Sequence, residues 1–102
     1  MDKLARHNQQ EMDREILGYV RGMQDMAPVT AESVHRYLKN VEGRRRVAEL
    51  DVTDRLAYLA SAGYLEKKVE WDGGEVVHWR ITADGMDVLD GNVPPRNWKG
   101  KQ

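Results

Sequence analysis

Val52-Thr53-Asp54-Arg55-Leu56-Ala57-Tyr58-Leu59-Ala60-Ser61-Ala62-Gly63-Tyr64-Leu65 is the stretch that decides the fold. Val52, Leu56, Leu59 and Ala60 recur at three- and four-residue spacing, the period of a helix with one apolar stripe. Thr53, Asp54, Arg55, Tyr58 and Ser61 fall off that stripe. Asp51 stands where an N-cap is expected, and Asp54 suits the positive end of the helix dipole. Gly63 ends the helix because a C′ residue takes a left-handed turn that only glycine adopts freely. Beyond it the period drops to two.

Leu65-Glu66-Lys67-Lys68-Val69-Glu70-Trp71 and Glu75-Val76-Val77-His78-Trp79-Arg80-Ile81 read as strands flanking the turn Asp72-Gly73-Gly74. A three-residue loop pairs Leu65 with Ile81, Val69 with Val77 and Trp71 with Glu75. That register gathers Leu65, Val69, Val77, Trp79 and Ile81 on one face, which a two-residue loop does not. Thr82 then caps a short helix from Ala83 to about Asp90, closed by Gly91, with Met86 and Leu89 as anchors. Gly85 lets that helix lie close to the sheet.

Upstream, residues 1–10 read as a polar N-terminal extension. Met12, Ile16, Leu17, Tyr19, Val20 and Met23 predict a first helix from Glu11 to near Met26, before Pro28. Thr30 caps a second helix carrying Val34, Tyr37, Leu38 and Val41, stopped at Gly43. Arg44-Arg45-Arg46 and a possible helical turn at Val47–Leu50 lead to the third helix. Residues 11–91 thus form one domain, and 92–102 an extended basic tail.

Composition bounds the rest. The 102 residues are 40% hydrophobic and 32% charged, which suits one small core and not a disordered chain. No apolar run reaches the ~20 residues of a membrane span, and the first residues lack a signal-peptide core. There is no cysteine, which excludes disulfides and thiolate zinc sites. A cytoplasmic protein is the expectation. His7, His35 and His78 lie on different elements, with no metal-ligand spacing. Ser33 and Ser61 lack a nucleophile motif, and no Gly-Lys-Ser/Thr follows Gly73-Gly74. No enzyme activity, metal or cofactor is expected.

The two motifs that matter are Val52–Leu65 and Ile81-Thr82-Ala83-Asp84-Gly85-Met86-Asp87-Val88-Leu89. The first resembles the recognition helix and exit of bacterial winged helix-turn-helix regulators. The second resembles their post-wing segment. The resemblance covers roughly residues 12–90 and implies an α+β winged helix: a three-helix core, a two-stranded antiparallel wing and a short C-terminal helix. It implies double-stranded DNA as partner and transcription regulation as role, with the third helix (about 51–62) in the major groove. Carried over, Thr53, Arg55 and Tyr58 are base-reading candidates, with Asp54 beside them. Arg55 is placed to donate two hydrogen bonds to a guanine edge. Arg44, Arg45, Arg46, Lys67, Lys68 and Arg80 are phosphate candidates. Residues 44–68 hold six basic and four acidic residues, a small local excess within a net charge of −1.

Each candidate also has a plainer reading. An arginine triplet is often only a solvated turn. Arg55 and Tyr58 can pack their stems on a neighbouring helix. Trp71 either meets a partner or folds over the sheet, whereas Trp79 reads as core. Trp98 either docks on the domain, is presented to a partner, or belongs to a plain chain end. A homodimer is expected through the first helix, by Met12, Tyr19, Met23 and Met26. The alternative function is a winged-helix protein-interaction module that does not bind DNA. The acidic wing tip, the near-neutral charge and the tryptophans favour it. An enzyme accessory subunit is a third reading.

Overall fold

The computed structural model describes residues 3–71 and 73–91. Four helices and a two-stranded antiparallel sheet follow one another as α1 (Lys3–Met23), α2 (Ala31–Asn40), α3 (Glu49–Ser61), β1 (Leu65–Trp71), β2 (Glu75–Ile81) and α4 (Ala83–Leu89). This is an α+β architecture in the winged-helix layout. No helix is long and apolar enough to cross a membrane. The basic tail 92–102, with Trp98, and the turn residue Asp72 lie outside the described residues.

α1 begins at Lys3, well before its apolar pattern starts at Met12, because Leu4, Ala5, Arg6 and Gln9 are good helix formers and nothing stops the helix there. It ends at Met23, earlier than its periodicity suggests. The amides of Met26 and Ala27 both donate to the Met23 carbonyl, which closes a turn ahead of Pro28. α2 opens on a reciprocal cap. The Thr30 hydroxyl accepts from the Ser33 amide (3.1 Å), and the Ser33 hydroxyl accepts from the Thr30 amide (3.0 Å). Val34 and Leu38 are buried, but Val41 lies past the helix end and is exposed.

α3 starts two residues before the expected cap. Its N-cap is Ala48, and Asp51 sits in the first turn, where its carboxylate accepts from the Ala48 amide at 3.1 Å. Asp51 thus satisfies a free donor of the helix end by reaching backward. Val52, Leu56 and Leu59 are fully buried, as their spacing requires.

The hairpin has the expected register, Leu65↔Ile81 through Trp71↔Glu75. Its apolar face is buried only at the root: Leu65, Trp79 and Ile81 join the core, Val77 packs against it, and Val69 and Trp71 are exposed. On its outer side β2 is met by the segment before α2, where the Trp79 amide donates to the Val29 carbonyl (2.9 Å). α4 is held by Thr82, whose hydroxyl accepts from the Gly85 amide and donates to the Gly63 carbonyl. Its buried anchor is Val88; Met86 is exposed and Leu89 half-buried. A side chain at Gly85 would lie 2.2 Å from the Tyr64 carbonyl oxygen and 2.7 Å from Ile81 Cγ1, so only glycine fits.

The expected dimer surface is largely used inside the chain. Met12 is core, Tyr19 stacks on Tyr37 at 4.6 Å between ring centroids, and Met23 packs against the core. Only Met26, beyond the end of α1, is exposed.

Candidate nucleic-acid interface

The arginines do not share an outer face. Arg55 turns inward from α3 to α1 and grips Asp13 with both ends of its guanidinium, Nε–Oδ1 at 3.0 Å and Nη2–Oδ2 at 2.5 Å. Asp13 is completely buried and the Arg55 side chain is 18% exposed. The same guanidinium lies over the Tyr58 ring, 4.2 Å from its centroid. Two of the base-reading candidates thus pack on one another, and Arg55 spends its fork on a carboxylate of its own chain.

Arg44 behaves in the same way. Its Nε and Nη2 donate to the Glu15 carboxylate at 2.5 and 3.1 Å, and that bonding raises the guanidinium's already high pKa further. Asp13 and Glu15, close together on α1, therefore fix both α3 and the segment leading into it. Nearby, the Tyr37 hydroxyl donates to the Glu42 carboxylate. This hydrogen bond, aided by burial and the acid's charge, pushes the phenol up to about 12.

On the wing, Arg80 bonds Asp25 at 3.1 Å and the Gln24 carbonyl, and Lys68 pairs with Glu66 at 3.3 Å. Lys67 is exposed on β1. His78 Nε2 lies 3.1 Å from the Glu70 carboxylate. Among the described residues, Arg45, Arg46 and Lys67 enter no ion pair and remain open to solvent.

The outward side of α3 carries Glu49, Leu50, Asp51, Thr53, Asp54, Ala57 and Ser61. The Thr53 hydroxyl donates back to the Glu49 carbonyl (3.1 Å), and the residue is exposed. Where α2 runs into the connection to α3, Lys39, Asn40 and Arg45 line a mainly polar cleft of about 470 Å³. Lys39 and Asn40 were not singled out by the sequence reading. Their signal is a lysine and an asparagine in the last turn of a capped helix, five and four residues ahead of the arginine run.

Among the described residues, no group of three or more His, Asp or Glu side chains is placed to hold a metal ion. No family model, curated protein or solved structure matches this chain.

Proposed function

We propose that this chain binds double-stranded DNA as a small transcriptional regulator, meeting the duplex with the α2–α3 connection and the outer side of α3. The observation that carries this reading is the polar cleft of Lys39, Asn40 and Arg45, with Arg46 beside Arg45 in the chain. Two cations and an amide around one concavity suit a phosphate oxygen, since phosphate contacts position a protein on DNA and supply most of its affinity. Base reading then falls to short side chains on α3. The Thr53 and Ala57 methyls suit a thymine methyl, and Asp54 suits the amino group of cytosine. Arg55 and Arg44 act behind this surface by holding α3 and its approach on α1.

A second reading has its own support. Glu49, Asp51 and Asp54 make the outer side of α3 acidic, and Leu50 on it is 70% exposed. That surface suits a basic protein partner, with DNA excluded by repulsion. Binding to a random-sequence duplex at low and at physiological salt separates the two. Phosphate-driven binding is present at low salt and falls steeply as salt rises; a chain that meets only protein shows none.

A further inference from the structure

β1 is the outer strand of the hairpin, and its backbone direction follows from β2. The Trp79 amide donates to Val29, and the Ile81 amide donates to the Gln24 side-chain oxygen, each at 2.9 Å. Both donors point away from β1. In an antiparallel pair, directly opposed residues turn their backbone groups the same way relative to the ladder, both in or both out. Lys67 and Leu65, opposite Trp79 and Ile81, therefore turn theirs to the free edge. By the two-residue period, so do Val69 and Trp71. Among the described residues, no hydrogen bond occupies the backbone groups of Lys67, Val69 or Trp71 on that edge.

An open edge of this kind is a template for another strand. The side chains say which one. In a two-fold antiparallel pairing of β1 with itself, these outward groups must meet each other. Centring on Val69 sets Val69 against Val69, Lys67 against Trp71 and Lys68 against Glu70, each pair occurring twice except the central one. Centring on Lys68 opposes the two Lys68 side chains and sets Glu66 against Glu70. Centring on Lys67 or on Glu70 opposes like charges at the axis. Of these registers only the one about Val69 opposes no like charges over residues 67–71; it sets Lys68 against Glu70 and Lys67 against an indole ring. It also covers Trp71 and Val69, which are 76% and 44% exposed in the single chain.

We propose that β1 of one copy pairs antiparallel with β1 of a second copy about Val69, making a four-stranded sheet across a two-fold axis. This is an isologous interface, in which each surface recognises itself. It stands apart from the DNA reading and is tested without DNA. Lys68 and Glu70, though each has a partner in its own chain, are both on the solvent side of the strand and free to take a second one.

Sedimentation velocity of the full chain over a concentration series tests it. The expected species is a dimer that dissociates on dilution. Lys68→Glu alone and Glu70→Lys alone each oppose like charges twice, and weaken the dimer by at least about tenfold. An equimolar mixture of these two variants restores it, because both 68–70 pairs are again of opposite sign. Val69→Pro abolishes the dimer but costs the hairpin no ladder bond, since that amide points outward; circular dichroism confirms the fold of each variant. A chain that is monomeric throughout, a dimer indifferent to all three substitutions, or a mixture that stays monomeric overturns the proposal.

Discussion

Arg55 on α3 and Asp13 on α1 face each other as a two-point clasp, with contacts of 3.0 and 2.5 Å and the carboxylate shut away from solvent. This moves the consequence of changing Arg55 from DNA binding to folding. As a guanine reader, its loss would lower specific affinity by about 1–3 kcal/mol. As the partner of a buried carboxylate, its loss takes a two-point bond away from that charge.

Arg55→Ala is therefore expected to destabilise the fold by about 3 kcal/mol, the scale for breaking a buried ion pair by removing one side. Arg55→Lys recovers only part of this, because an ammonium cannot offer the two parallel donors. Urea unfolding measures both. A change below about 0.5 kcal/mol for Arg55→Ala would contradict the clasp, that being the range of neutral surface substitutions.

Two glycines predict opposite outcomes. Gly85→Ala forces a methyl onto the Tyr64 carbonyl at 2.2 Å, against backbone that cannot swing aside. A loss of roughly 2 kcal/mol or more in thermal or urea unfolding is expected, as for strained overpacking. Gly18→Ala meets only Leu89 Cδ1 at 3.9 Å, an ordinary contact, in the middle of α1. It is expected to stabilise by about 0.5–1 kcal/mol through helix propensity. Equal effects of the two substitutions would contradict the close α4 approach.

The Tyr37–Glu42 bond predicts a dependence on high pH. The folded phenol is pushed up to about 12 from the ordinary 10.0, so the folded state holds its proton more tightly than the unfolded state. The stabilisation is complete below the ordinary value and is lost as pH rises through the folded one. Absorbance titration of phenolate is expected to show one tyrosine ionising late, and Glu42→Gln to bring it back toward the others. A tyrosine that titrates normally in the unsubstituted chain would contradict the bond.

The hairpin was legible residue by residue because strand register depends on local quantities: a period of two, a loop of fixed length and a glycine turn. Thr30, Gly63, Thr82 and Gly85 were legible for the same reason, each acting on neighbours in the chain or through an absent side chain. The arginine contacts were not. Asp13 and Arg55 are 42 residues apart, and on a helical wheel a polar residue beside the stripe reads the same whether it meets water or a buried charge. A signal was present nonetheless. Asp13 stands at helical spacing with Ile16, Leu17 and Val20, so it belongs to the buried side of α1, and a carboxylate there requires a cation. The start of α3 was misplaced because Asp51 caps from inside the first turn, which a capping preference alone does not distinguish from the position before it.

The most direct test of the account is the salt dependence of duplex binding, followed by fluorescence anisotropy between about 50 and 200 mM salt. If Lys39, Arg45 and Arg46 each neutralise one phosphate, log K falls with log salt at a slope near −3 per copy, at about 0.9 per contact. The double substitution Arg45→Ala with Arg46→Ala flattens that slope by about 2 and weakens binding alike on all sequences. Absence of binding at the lowest salt, or a slope unchanged by the double substitution, would contradict DNA binding through this surface.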